Sequence, residues 1–144
     1  MATGVQVVFD VADPDRQAEF WAAALGYVVQ PPPPGYESWE QLLAEMGMPP
    51  EEWAKASAIV DPDKAGPRVF FQKVPEPKVA KNRLHLDLNI SGGPSAPAEL
   101  RRDRIDAEVQ RLLTLGAHKL YELEEYGQYH VTMADPEGNE FCVQ

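Results

Sequence analysis

The groups in this chain that could do chemistry sit mostly in its second half. His85 and Asp87 stand two apart in an alternating run, and Glu140 and Cys142 stand two apart near the end. Strand residues two apart share a face, so each pair can present both side chains to one ligand. Imidazole and carboxylate can hold a metal or move a proton, and a thiolate can ligate or attack. Two readings of His85 stand side by side: contact with a ligand, or a hydrogen bond to Asp87 or Asn89 within the sheet. Cys142 lies on a strand of an acidic chain, away from the positive setting that activates a thiol, and is expected to be buried and inert. Glu140, the candidate catalytic residue, and Asp10 could each serve as a general base in a dry pocket. Asp10 also suits a strand end that leads into the first helix.

Tyr36, Trp39, Trp53, Tyr126 and Tyr129 can stack on a flat ligand or hold a cation. Trp39, however, shares helical spacing with Leu42, Leu43 and Met46, and that stripe reads first as a packing face. Lys81-Asn82-Arg83 can clamp a carboxylate or phosphate, or pair with surface acids. There is no Gly-rich phosphate loop, Ser-His-Asp set or CxxC pair.

The 144 residues carry Lys+Arg 13 against Asp+Glu 23, a net charge of −10. That balance weighs against nucleic acid or an anionic membrane as a partner. Hydrophobic content of 44% and charged content of 25% are those of an ordinary globular protein. No apolar run reaches the ~18 residues of a membrane span. No basic segment with an apolar stretch opens the chain, and the single cysteine cannot form an internal disulfide. No secretory signal is expected, and a cytoplasmic location is.

Positioning these groups requires a regular frame. Val5–Val11 reads as a strand, and Asp13-Pro14 as a helix start with Asp as N-cap and Pro at the first helical position. The helix is predicted to reach about Leu25, burying Phe20, Trp21, Ala24 and Leu25, with Gly26 as its C-terminal cap. After an extended Tyr27–Gln30, Pro31–Pro34 form a stiff connector. Ser38 with Gln41 has capping-box spacing, and Gly47 ends that short helix before another turn at Pro49-Pro50. Ala56–Val60 and Arg68–Val74 are strands around a turn at Asp61–Gly66, and Pro75-Glu76-Pro77 reads as a linker.

Beyond the linker, Arg83–Ile90 alternates Leu84, Leu86 and Leu88 with His85, Asp87 and Asn89, the period of a strand with one apolar face. After a Gly92–Pro97 loop a helix carries Ile105, Val109, Leu112 and Leu113 and ends at Gly116. Lys119–Leu123, Tyr129–Met133 and Asn139–Val143 read as strands. His118, at a turn, and His130, in an outer strand, are expected at the surface.

The second half repeats the first. Ile59-Val60-Asp61-Pro62-Asp63, then Gly66, Val69 and Phe70, matches Met133-Ala134-Asp135-Pro136-Glu137, then Gly138, Phe141 and Cys142. Such duplication fixes architecture before any other consideration. The prediction is an α+β fold of two βαβββ modules in tandem forming a concave cup, with a short helical insertion in the first. The expected layout is one domain over 1–144, with module 1 at about 1–76, the insertion at about 37–55 and module 2 at about 80–144.

Phe9-Asp10-Val11-Ala12-Asp13-Pro14 leading into Phe20-Trp21, Leu25-Gly26, and Asp135-Pro136-Glu137-Gly138-Asn139-Glu140-Phe141 resemble motifs of the vicinal oxygen chelate superfamily, the glyoxalase/bleomycin resistance/dioxygenase fold. Ala58–Pro62, Phe71–Lys78 and Lys81–Asp87 are most similar to a glyoxalase-like subgroup common in actinobacteria. The resemblance spans nearly the whole chain. It implies a homodimer with a small-molecule ligand, and a fold that hosts isomerases, epimerases, dioxygenases, antibiotic-modifying thiol transferases and non-catalytic sequestering proteins.

In catalytic relatives, the resemblance implies, a divalent metal is held by His or Gln, Glu, His and Glu. Those positions fall here on Gln6, Phe70, His85 and Cys142. Gln6 and His85 fit, whereas Phe70 has no donor and Cys142 replaces a carboxylate. A slip of two residues would give Gln6, Gln72, His85 and Glu140 instead. The expected function is therefore small-molecule binding, as in sequestering an antibiotic or aromatic metabolite, without an intact family metal site and without a cofactor. Expected ligand contacts are Gln6, Phe70, Gln72, His85, Asp87, Trp39 and Cys142. The alternative is a metal-dependent lyase, isomerase or dioxygenase-type enzyme using a divalent metal on Gln6, His85 and Glu140.

Overall fold

Local signals start the first helix where the residues say it should start. In the computed structural model, which describes residues 1–144, the Asp13 side chain accepts the backbone N–H of Arg16, and α1 runs Pro14–Leu25. Gly26 closes it in the left-handed conformation at φ 71°, which an L side chain would resist. Around this helix the first unit, Met1–Pro77, places β1 (Val7–Val11), β2 (Val28–Val29), β3 (Ala56–Val60) and β4 (Val69–Lys73). The sheet order is β1-β4-β3-β2, with β1 parallel to β4 and the other pairs antiparallel. Between β2 and β3 lie α2 (Trp39–Glu45), capped by the Ser38 hydroxyl on the N–H of Gln41, and a 3-10 helix at Pro50–Lys55.

Alternation decides which side chains face the helix. Val11, Val69, Phe71 and Ile59 are buried with Ala18, Phe20, Trp21 and Ala24 of α1. Phe9 bridges Trp21 and Phe71, ring centroids 5.3 and 5.5 Å apart. The opposite face carries Val8, Asp10, Phe70 and Gln72, opposed in register as Val8 with Phe70 and Asp10 with Gln72.

The second unit, Lys78–Gln144, repeats the plan with β5 (Asp87–Leu88), α3 (Ala98–Thr114), β6 (His118–Glu125), β7 (Gln128–Ala134) and β8 (Glu140–Val143). Its order, β5-β8-β7-β6, is the first unit's order again, and β5 runs parallel to β8. Both units are thus βαβββ modules of mixed α+β class. Ile105, Val109 and Leu112 of α3 are buried with Val131, Met133, Phe141, Val143 and Leu88. No helix is long and apolar enough to cross a membrane.

The repeat extends to individual side chains. Gln72 Nε2 donates to Asp10 at 2.6 Å, and Gln144 Nε2 donates to Asn89 at 3.1 Å, one pair at the end of each parallel strand pair. The turns before β4 and β8 are each gathered by an aspartate. Asp61 accepts the N–H groups of Asp63, Ala65 and Gly66, and those hydrogen bonds hold its carboxyl below the usual range. Buried Asp135 accepts those of Glu137 and Asn139 and the Asn139 amide. Gly66 lets the Tyr27 hydroxyl approach closely: a Cβ there would meet it at 1.9 Å and push the ring aside.

Three expectations need correction. The Arg83–Ile90 alternation predicts a long strand, but only Asp87–Leu88 forms one, paired with Cys142–Val143 of β8. Without a ladder opposite it, Leu84 is left 73% exposed. Leu113 lies at the exposed edge of α3 rather than on its buried stripe. His130 is half-buried on β7, an inner strand; the outer strand is β6.

Candidate functional site

In the second unit, strand register builds a cluster. Asp87 lies directly opposite Cys142, and His85 precedes Asp87 on the same face. The ligating atoms of His85, Asp87 and Cys142 all lie within 4.8 Å of one another. His85 Nδ1 and Asp87 Oδ1 are 3.2 Å apart, so the sheet hydrogen bond expected of His85 is formed, and the ring remains exposed enough to meet a ligand. Thr132 on β7 faces Cys142, with Oγ1 and Sγ 3.5 Å apart. Burial raises the Cys142 thiol above its ordinary range; Thr132 pulls it down, Asp87 pushes it up again, and Lys81 opposes Asp87. Cys142 is therefore a protonated thiol at neutral pH and a poor nucleophile. A pocket of about 180 Å³ opens here, lined by Lys81, His85, Tyr121, His130, Thr132 and Cys142 among others. That volume admits a small polar group or a few water molecules rather than a drug-sized body.

Glu140 is committed elsewhere. It accepts the Asn82 N–H at 2.9 Å and pairs with Lys78 at 3.1 Å, while Lys78 also donates to the Ala80 carbonyl. The Asn82 hydrogen bond, more than the lysine, holds its carboxyl below the usual glutamate range. A carboxylate so stabilised is a weak base, which is the opposite of what a general base needs.

The first unit spends its corresponding groups on one another. Arg68 donates through Nη1 to Gln6 Oε1 and through Nε to Gln30 Oε1, both at 2.7 Å. Its guanidinium also lies over the Phe70 ring, 5.2 Å from the centroid. Gln72 and Asp10 hold each other. The Trp39 indole donates to the Gln30 carbonyl at 2.8 Å, and Trp53 donates to Met48 at 2.9 Å, so both tryptophans are half-buried with their N–H groups satisfied. Residue type alone gave no pointer to Arg68 or Thr132. Their roles come from partners on other strands, and Arg68 and Gln6 are 62 positions apart.

A divalent metal held by imidazole, amide oxygen and carboxylates is not matched by these residues. Phe70 brings no donor atom, and Gln6, Gln72 and Glu140 already have partners within their own units. The one converging donor set, His85, Asp87 and Cys142, is of a different, partly soft kind.

The comparisons with known proteins fit this geometry. The family model for the glyoxalase-like domain matches residues 6–144. The chain belongs to that family. Solved structures share its fold at low identity. A possible glyoxalase from Bacillus cereus aligns with TM-score 0.60 and 19% identity, covering 99% of each chain. A glyoxalase/bleomycin resistance/dioxygenase family enzyme from Burkholderia phytofirmans aligns with TM-score 0.61 and 14% identity, over 96% of this chain and 94% of that one. A mutant of the fosfomycin resistance protein of Listeria monocytogenes, complexed with Mn(II) and dihydroxypropylphosphonic acid, aligns with TM-score 0.62 and 13% identity. That match covers 100% of this chain and 90% of the other. At such identities the likeness carries the fold. No curated protein matches the glyoxalase-like domain in sequence.

Proposed function

We propose that this glyoxalase-like domain binds a small molecule, in the manner of a protein that sequesters an antibiotic or aromatic metabolite, and does so without the family's metal chemistry. The observation that carries the reading is Phe70, a position the resemblance assigns to a metal ligand, whose ring carries no donor and is covered by the Arg68 guanidinium. The commitment of Glu140 to Asn82 and Lys78 supports it. His85, Asp87 and Cys142 are the proposed ligand contacts of the second unit, with Gln6, Phe70, Gln72 and Trp39 those of the first. We place the domain with the actinobacterial glyoxalase-like subgroup and expect a cytoplasmic homodimer.

The test pairs metal analysis with ligand screening. The purified protein is soaked with Ni, Co, Zn, Mn and Fe(II), and its metal content is read by elemental mass spectrometry. A thermal-shift screen then searches for ligands, since binding to the folded state alone raises the melting temperature. The binder reading expects a ligand whose affinity falls in His85→Ala and no stoichiometric metal. A turnover that disappears in His85→Ala overturns it.

A second reading, a metal-dependent enzyme, is favoured by one observation: the convergence of His85, Asp87 and Cys142. Imidazole, carboxylate and thiolate together suit Zn or Co better than Mn. This reading expects one such ion per chain, lost in His85→Ala. Full function in a metal-free preparation would overturn it.

A further inference from the structure

In the first unit the strand register sets a cation on the sheet without an acid beside it. β1 and β4 run parallel, with Val8 opposite Phe70 and Val7 opposite Val69. One step before those pairs, Arg68 reaches across to Gln6. Strand residues two apart share a face, so Gln6, Val8, Arg68 and Phe70 form one patch turned away from α1.

Neutral groups alone hold the guanidinium. Its Nε–H is taken by Gln30 Oε1 and one Nη1–H by Gln6 Oε1, both at 2.7 Å, and its central carbon lies 5.2 Å from the centre of the Phe70 ring. Gln30 is anchored in turn: its N–H donates to the Ala58 carbonyl at 2.9 Å, and its carbonyl accepts the Trp39 indole. Amide oxygens and a ring fix the direction of the guanidinium without cancelling its charge. Arg102 and Arg111 have Glu124 and Glu108 as counter-ions, whereas none of the ion pairs in the fold includes Arg68. In a chain with Asp+Glu 23, that positive charge is left for an acceptor from outside.

Two of the five guanidinium N–H groups are used, and those left over lie on the two terminal nitrogens, the edge that a planar carboxylate meets bidentately. Arg68 is only half-buried and Gln6 is exposed, so that end of the side chain is open to a ligand. The rotamer freedom that a loose arginine loses on gripping an anion is already spent on the two glutamines. Val8, 48% exposed and opposite Phe70, adds apolar surface on the same face.

We infer that Arg68 is the anion-receiving group of the first unit. Its ligand is a small organic carboxylate, with the charge on the terminal edge of the guanidinium and the apolar body against Val8 and Phe70. A single guanidinium in a chain of net charge −10 favours a singly charged group over a phosphate. The inference rests on the binder reading above and names the ligand class at its first-unit contacts. Gln6 and Phe70 offer a metal one donor side chain between them; the positive charge they hold is the guanidinium's own.

The experiment titrates the whole protein by calorimetry with benzoate, cinnamate and indole-3-acetate, each against its amide, and with phenyl phosphate as the doubly charged comparison. At least one acid is expected to bind saturably and roughly tenfold or more tightly than its amide, as a charge-assisted hydrogen bond requires. Phenyl phosphate is expected to bind more weakly than that acid. Gln6→Glu gives Arg68 an internal carboxylate, so it should keep or raise the melting temperature and weaken the acid at least tenfold. A purely structural Arg68 would leave affinity unchanged in that variant. Arg68→Met should weaken binding as much, and Arg68→Lys, which keeps the charge and loses the fork, by a smaller factor. Arg111→Met, which removes the same charge from α3, should bind as the wild type does. Gln6→Glu keeps the test decisive if Arg68→Met folds poorly. Amides binding as tightly as the acids, full affinity in Gln6→Glu, or tighter binding of phenyl phosphate would overturn the inference and leave the binder reading standing. Absence of binding by all three acids would overturn it too, and the ligand screen with His85→Ala then judges the binder reading by itself.

Discussion

The two units are built from one plan and use it differently. Each pairs its first and last strands in parallel, ties that pair with a glutamine, and gathers the preceding turn on an aspartate. These shared features are scaffold. At the positions that could carry chemistry the units part: Gln6 corresponds to His85, Val8 to Asp87 and Phe70 to Cys142. The first unit locks its polar face with Arg68, which satisfies two glutamines and caps an aromatic ring. The second leaves an imidazole, a carboxylate and a thiol converging beside a pocket. A repeat can thus keep its hydrogen-bonded frame while one copy ties up its polar face and the other gathers three donor groups beside a pocket.

The comparison can be broken at several strengths. The largest effect is expected from Trp21→Ala, which empties a 1% exposed site between α1 and Phe9 and should cost about 3–5 kcal/mol. Urea unfolding followed by probes in each unit would show whether the second unit keeps its structure when the first is weakened. Next comes the pair of turn aspartates. Asp135→Ala leaves buried N–H groups without their acceptor and should cost roughly 2–3 kcal/mol. Asp61→Ala, at a wetter turn, should cost clearly less. Because the Asp61 carboxyl is held below its usual range, its contribution is present above the unfolded pKa and is lost as pH falls through the folded one. The wild type and Asp61→Ala should therefore converge in stability in acid, as read from melting temperatures across pH.

Smaller effects sharpen the contrast between the two polar faces. Arg68→Ala removes the cation over Phe70 and its hydrogen bonds to Gln6 and Gln30, at about 1–2 kcal/mol, measured by denaturant midpoint. The smallest change is expected at Cys142. Its alkylation rate should still be rising with pH beyond 9.0, where an ordinary thiol begins to level off, since burial and Asp87 disfavour the thiolate. Asp87→Asn should move that profile to lower pH and speed alkylation severalfold at neutral pH, whereas Lys81→Ala should slow it.

Much of the scaffold was legible because it is local. The start and end of α1 are set by Asp13, Pro14 and Gly26 within a few residues of the bonds they make. The duplication is visible in the matched Asp-Pro turns, and strand alternation placed Phe70 and Gln72, and Glu140 and Cys142, on common faces. The same alternation overreached at Arg83–Ile90, where hydrophobic period alone cannot say which residues will find a ladder partner. It also could not show that Glu140 would be taken by Asn82 and Lys78.

By itself, then, the sequence determined the βαβββ repeat, its helix boundaries and the residues facing away from the helices. These depend on side-chain type, short-range capping and a period of two, all written along the chain. Only the tertiary structure decided which polar groups are spent and which are free. Arg68 reaches Gln6, and Cys142 stands opposite Asp87, through strand pairings that close long loops. A donor's availability depends on its neighbours in space, and the side chain's identity does not carry that information.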